Sequence, residues 1–243
     1  MFNKIIVVLL GLLTFVSLSS HAQRLQANQE RYQVLLFTKS LDYQHRSVTT
    51  GVEMFKELAQ DNHFGLTWTE QSDVFDDEKQ LSNMDVIVFM NTSGDILNDH
   101  QRRALQNYIR GGGNFVAIHS ASFTMMEWPW YVELVGGVWN RHPSPGISTA
   151  IINNVNPNHP ATAHIPEKWL VTEEWYNYLE LSDDIEVVLT VDETTFIGGK
   201  MPDYHPIAWY QESFEGGRSF HTALGHPEGI YDNPWFRQHI LGA

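Results

Sequence analysis

The sequence predicts a single α/β domain, a doubly wound and mostly parallel sheet with helices on both faces. Three observations carry this. Short apolar runs bounded by turn residues, at 32–38, 84–90 and 115–118, have the length and composition of strands buried on both faces. Segments with apolar residues at helical spacing alternate with them, which is the pattern of parallel strands joined by right-handed crossovers. Polar, titratable residues stand just after these runs, where open α/β sheets keep their ligand crevice.

Residues 32–38 (YQVLLFT) open the sheet, and 39–46 form the loop beyond its carboxyl end, carrying Asp42, Tyr43, His45 and Arg46. Ser47 is placed to cap a helix in which Val48, Gly51, Val52, Phe55, Leu58 and Ala59 repeat at helical spacing. Residues 66–70 make a short second strand, and the acidic stretch 73–78 reads as a solvated turn. Residues 84–90 (MDVIVFM) form a buried strand. Asn98 or Asp99 then caps a helix through Arg110, with Ala104, Leu105, Tyr108 and Ile109 on one face. Gly111, Gly112 and Gly113 permit the reversal into the central strand, which ends at His119. A short helix is expected over 129–135, followed by a loop presenting Arg141 and His142. Residues 148–152, 169–173, 185–191 and 206–210 read as strands. A turn at Gly216-Gly217 leads into a further strand and a loop with His221 and His226, and Asn233-Pro234 starts the closing helix over 235–241.

Lys4 precedes the apolar run 5–16, and small residues flank His21 in Ser20-His21-Ala22. This is the pattern of a cleavable export signal, so 1–22 is expected to be a signal peptide and 23–243 a single mature domain, periplasmic or secreted and without a membrane span. A net charge of −14 argues against nucleic acid or an anionic membrane as partner, because phosphate binding needs clustered Lys and Arg. The absence of Cys excludes disulfides, thiolate metal sites and a cysteine nucleophile.

A series of blocks runs along the chain. Gly111-Gly112-Gly113 with Ile118-His119 is followed by Trp128-Pro129-Trp130-Tyr131, Gly136-Gly137, Arg141-His142-Pro143, His159-Pro160 and Glu174-Trp175-Tyr176. Gly199-Lys200-Met201, His205-Pro206-Ile207-Ala208-Trp209 and Ala223-Leu224-Gly225-His226 complete it. In this order the blocks resemble the ThuA-like (trehalose utilisation) family over roughly the whole mature chain. The resemblance implies the class I glutamine amidotransferase-like fold, a flavodoxin-like variant, and an association with carbohydrate utilisation. A fold alone assigns no reaction. Amidotransferases place a cysteine on the turn after the central strand; here that turn is His119-Ser120-Ala121, so amidotransferase chemistry is excluded. A serine nucleophile at Ser120 or Ser122 lacks the Gly-x-Ser-x-Gly context.

His45, His119, His142, Glu174, His221 and His226 are expected to converge at the carboxyl ends of the strands, with His205 beside them. Imidazoles accept and donate protons near neutrality. Tyr43, Tyr176 and Tyr204 add weak acids, while Arg46 and Arg141 can hold a carboxylate or stabilise an enolate-like charge. That inventory suits removal of a proton beside a carbonyl or carboxyl carbon followed by loss of a hydroxyl or alkoxyl. On a uronic acid or keto-sugar unit of an oligosaccharide, this is dehydratase or lyase chemistry. His119 is the expected base and His221 or His226 the acid, with Glu174 and Tyr176 fixing a histidine or binding hydroxyls. Arg141 and His142 would orient the substrate, and His45, Arg46, Trp128, His205 and Trp209 would complete its binding.

Other uses of the same residues stay open. The histidines with Glu174 are an alternative ligand set for a divalent metal, assembled from distant loops because no His-Glu-x-x-His motif exists. A glycosidase would need paired carboxyls from Glu127, Glu173, Glu174 or Asp203. A noncatalytic sugar-binding protein would stack its ligand on Trp128, Trp130, Trp175 and Trp209.

Overall fold

Side chains alternate along the first strand, β1 (Gln33–Phe37), so that Val34 and Leu36 enter one hydrophobic core while Leu35 and Phe37 enter another. A strand buried on both faces needs a covering layer on each side. The computed structural model describes residues 31–243, and the expected signal peptide lies outside the described residues. Helix α1 (Val48–Asn62) lays Val48, Val52, Phe55 and Leu58 on the first core. A four-residue helix, α2 (Glu78–Leu81), precedes α3 (Asp99–Arg110) and α4 (Pro129–Val135), which cover the second core through Leu105, Ile109, Tyr131 and Leu134. The closing helix, α5 (Pro234–Leu241), returns to the first core with Phe236 and Ile240.

The remaining strands are β2 (Gly65–Thr69), β3 (Val86–Met90), β4 (Asn114–Ile118), β5 (Val138–Trp139), β6 (Ile147–Asn154), β7 (Lys168–Glu174), β8 (Tyr178–Leu179), β9 (Glu186–Val191), β10 (Pro206–Phe214) and β11 (Gly217–Thr222). Nine of them form one mixed sheet in the order β2-β1-β3-β4-β11-β10-β9-β6-β7. From β2 to β11 all neighbours are parallel, in the flavodoxin-type order 2-1-3-4-5. Beyond β11 the sheet continues with antiparallel neighbours. The change of direction occurs at the β10–β11 hairpin, where Glu215 (φ 48°) and Gly216 (φ 106°) both adopt positive φ as a tight two-residue turn requires. β5 and β8 pair separately as a short ribbon beside the carboxyl edge.

Asn98 closes a capping box on α3, accepting from the His100 and Gln101 amides, and Asn233 caps α5 through the Trp235 and Phe236 amides. Ser47 departs from expectation. Its hydroxyl caps no amide of α1 and instead donates to the Gly225 carbonyl at 3.1 Å, tying the start of the helix to the loop after β11. The acidic stretch is a single 3-10 turn, Ser72–Asp76, followed by α2, and it is held down by fully buried Phe75.

Candidate functional site

Three parallel strands deliver one histidine each to the carboxyl edge of the sheet. His45 lies in the loop after β1, His119 follows β4 directly, and His226 lies in the loop after β11. Glu174, the last residue of β7, joins them from the antiparallel half. His119 takes a positive φ of 53°, a conformation uncommon for a side-chain-bearing residue, on the sharp turn that leaves the central strand. That turn aims its ring back over the sheet edge.

The ring atoms then meet. His119 Nε2 lies 3.1 Å from His45 Nε2, 3.2 Å from His226 Nδ1, 2.9 Å from the Tyr176 hydroxyl and 3.5 Å from Glu174 Oε2. His226 Nδ1 is 3.1 Å from the same Glu174 oxygen, and His142 Nε2 approaches Glu174 Oε1 at 3.5 Å. His119 Nδ1 donates to the Ala223 carbonyl at 2.7 Å, which fixes its tautomer and leaves Nε2 as a lone pair facing the cluster. Among the described residues, His45, His119, Glu174 and His226 form the group of nitrogen and oxygen donors able to surround a metal ion, their donor atoms all within 4.8 Å of one another.

Burial sets the charge states. It pushes His45 down to about 2, aided by the neighbouring imidazoles, and it lowers His119 although Glu174 and the Ala223 carbonyl both stand ready to accept from its ring. Burial acts against the charge of Glu174 too, but the hydrogen bonds and positive charge of the adjoining histidines hold its carboxyl well below the usual range. His226 is the converse case: burial lowers it, and the Glu174 carboxylate more than offsets this and raises it. The site therefore sets a Glu174 carboxylate beside a His226 that holds a proton more readily than a free imidazole, with His45 and His119 held toward their neutral forms.

Glu173 holds this arrangement from behind. It is fully buried, and burial raises it to about 8 although it accepts the amides of Gly225, Glu174 and His226. The Gly225 carbonyl in turn accepts from Ser47 and Tyr231. The loop carrying His226 is thus clamped to β7, α1 and the C-terminal segment.

A cavity of about 630 Å³ opens above the cluster, within the usual size range of small-molecule sites. Its floor is His45, Glu174 and His226; its walls include Tyr43, Phe123, Trp139, His142, Ile147 and Tyr176. His119 has no exposed surface and lies behind this floor.

The structure gathers His45, His119, Glu174 and His226, with Tyr176 and His142 on the cavity wall, and sends the other predicted site residues elsewhere. His221 lies within β11, wholly buried against Tyr178 and Trp209, with Nε2 bonded to the Tyr178 hydroxyl at 2.9 Å; burial lowers it to about 3, so it cannot supply a proton to the cavity. His205 is buried between Glu193 and the Tyr176 carbonyl and supports the backbone of Tyr176. Trp209 is a core residue that donates to the Val135 carbonyl, and Trp128 stacks on Trp130 and under the Arg102 guanidinium on the opposite side of the sheet. Arg141 is exposed and offers its carbonyl to the Asn177 amide; Arg46 is exposed and lines a separate pocket with Glu53 and Trp68. Phe123 and Trp139 are not among the predicted site residues: Phe123 closes the 3-10 turn after β4, and Trp139 ends β5, a strand of two residues too short for any periodicity to show; the Gly136-Gly137 turn before Trp139 is the available signal.

The family profile described as trehalose utilisation, ThuA, matches residues 33–243. The chain belongs to the ThuA family. Among solved structures, a ThuA-like protein of Bacteroides uniformis superposes with a TM-score of 0.74 at 21% identity, covering 88% of this chain and 90% of that one. A ThuA-like protein of Parabacteroides merdae follows at 0.67 and 19%, covering 87% and 88%. The glutaminase domain of Trypanosoma brucei CTPS shares the fold at 0.51 and 11%, covering 86% and 91%. No functionally curated protein matches the chain. The ThuA fold is thus similar to the class I amidotransferase fold, and in this ThuA chain the turn after the central strand carries His119 and no cysteine.

Proposed function

We propose that the protein is a carbohydrate-active lyase or dehydratase. It removes a proton beside a carbonyl or carboxyl carbon of an oligosaccharide or modified sugar and expels the oxygen substituent on the next carbon. The observation that carries this reading is an aromatic-walled cavity whose floor is imidazole and carboxylate. Phe123 and Trp139, 4.6 Å apart, present flat apolar surface to the C–H face of a sugar ring. The printed family description, trehalose utilisation, favours the same substrate class.

The cavity wall supplies the proton carriers. His142 Nδ1 donates to the Pro143 carbonyl at 2.8 Å, which commits that nitrogen and leaves Nε2 as the ring atom facing Glu174 and the cavity. We assign it as the base, in place of the inaccessible His119. The C–H electron pair becomes the new carbon–carbon double bond, the carbon–oxygen bond breaks, and the leaving oxygen takes the Tyr176 proton. Exchange with solvent returns the proton from His142 to Tyr176. On the floor, His226, whose proton the Glu174 carboxylate favours, is the group that faces the enolate-like intermediate. Glycosidic hydrolysis by paired carboxylates finds less support, because it needs two carboxyls about 5 to 10 Å apart and Glu174 alone lines the cavity. The apolar N-terminal run after Lys4 supports export as part of the same proposal.

Incubation with uronate-containing, keto-modified and neutral oligosaccharides, followed by mass spectrometry, tests the reaction. The expected product has lost one water or one alcohol fragment without gaining water, and His142→Ala slows its formation by about 10²- to 10⁴-fold. Cleavage with gain of water would assign a hydrolase instead, and sugars that bind without change across the panel would reduce the protein to a binder.

A further inference from the structure

We propose that His45, His119, His226 and Glu174 form the binding site of one divalent first-row transition-metal ion, of the Zn²⁺ or Mn²⁺ class. The inference names a cofactor for the reaction proposed above, but it stands on the geometry of the cluster alone.

The spacing of the donors is the first argument. Four ligands at the usual zinc–nitrogen and zinc–oxygen distances of about 2.0 to 2.2 Å stand about 3.3 Å apart at the corners of a tetrahedron. The separations here are 3.1 Å (His45 to His119), 3.2 Å (His119 to His226), 3.1 Å (His226 to Glu174) and 3.5 Å (His119 to Glu174). No pair among the four exceeds 4.8 Å, so one ion at the centre reaches every donor with sub-ångström adjustment of the rings.

The second argument concerns protons. His119 Nε2 carries a single in-plane lone pair, because Nδ1 is committed to the Ala223 carbonyl, yet four polar atoms crowd it within 3.5 Å. One lone pair accepts one good hydrogen bond, and even with His226 donating to Glu174 at 3.1 Å more acceptors than protons converge on the one point. A cation at the common point satisfies all of them together. The Ala223 carbonyl on His119 Nδ1 is also the second-shell partner that metal-bound histidines use, and Ser120 Oγ stands 3.4 Å from His45 Nδ1 in the same position.

Electrostatics agrees with geometry. Glu174 has no Lys or Arg partner among its recorded ion pairs; its partners are His119, His142 and His226. Three imidazoles and one carboxylate favour a transition ion over Mg²⁺ or Ca²⁺, which prefer all-oxygen sites. The donor set opens on the cavity side, where a substrate oxygen can approach. With an ion bound, His226 and Glu174 act as ligands, and His142 and Tyr176 remain on the wall as the groups that move protons.

The test reads binding, not turnover. The purified chain is stripped with chelator and titrated calorimetrically with Zn²⁺ and Mn²⁺, with Co²⁺ absorption as a spectroscopic report on coordination. The expected result is one ion per chain and an unfolding temperature that rises with ion concentration. His226→Ala and Glu174→Gln lower the affinity at least about 100-fold, Ser120→Ala lowers it about 10-fold, and His164→Ala on the surface leaves it unchanged. Absence of saturable binding by the wild-type chain, or equal affinity in wild type and the folded ligand variants, overturns the proposal. A chain that binds no ion yet transforms a sugar overturns it and leaves the reaction standing, whereas a chain that binds one ion and transforms none supports the site and removes the reaction.

Discussion

His45, His119 and His226 share a placement rule: each stands beyond the carboxyl end of a parallel strand, so the sheet itself delivers the three rings to one edge. That rule was legible in the sequence, and Glu174 was found at the end of its strand in the same way. The rule misleads at His221, expected in the loop beyond its strand and found within β11, and it never applied to Trp209, which lies inside a strand. His221 and Trp209 are cross-strand partners in the β10–β11 hairpin, and both side chains enter the core. Polar or aromatic identity does not tell an inward position from a cavity wall, because burial depends on what the opposite layer places there. Trp209→Ala is expected to lower stability by about 3–5 kcal/mol through loss of core packing. Urea unfolding checks this, and a variant of wild-type stability would return Trp209 to the substrate site.

At the scale of elements, the helices and the parallel strands followed from periodicity, turn glycines and caps. Asn98 closes a reciprocal capping box with Gln101, so Asn98→Ala is expected to cost about 1 kcal/mol of stability, measured as a shift in the urea midpoint with unchanged slope. A change below a few tenths of a kcal/mol would mean that α3 is held by packing alone. What periodicity could not reveal was the service that loops give one another. Ser47 reads locally as a helix cap, yet its hydroxyl reaches Gly225, 178 residues away. Glu173 reads as one more strand-end acid, yet it binds the amides that orient Glu174 and His226. Such links join positions distant in sequence, and no local pattern carries them.

For the molecule as a whole, the mixed sheet divides the labour: the parallel half supplies three histidines, and the antiparallel half supplies Glu174, Tyr176 and much of the cavity wall. The change of strand direction was the part of the fold that separate strand assignments could not give, since parallel and antiparallel neighbours differ in partners and not in local composition. Burial of neutral histidines outside the cluster also sets the pH response. Burial lowers His221 to about 3 and His239 to about 4. Their contribution to stability is fully present above the unfolded value near 6.5, and it is lost as pH falls toward those folded values, because the unfolded chain then binds protons that the folded chain refuses. Between pH 7.5 and 5.5 the two together remove about 2–3 kcal/mol. Urea unfolding at both pH values reads it, and stability that holds or rises at the lower pH would contradict the buried neutral state.

The account rests on this cavity being the reaction centre, with His142 and Tyr176 on its wall and Glu174 in its floor. Elimination beside a carbonyl or carboxyl creates a conjugated double bond, so ultraviolet absorbance follows it continuously in wild type and in folded Glu174→Gln supplied with the same uronate or keto-sugar oligosaccharide. A steady rise with the wild type, reduced by at least about 10²-fold in Glu174→Gln, is the predicted result. Equal rates in the two proteins would contradict it and place the chemistry elsewhere.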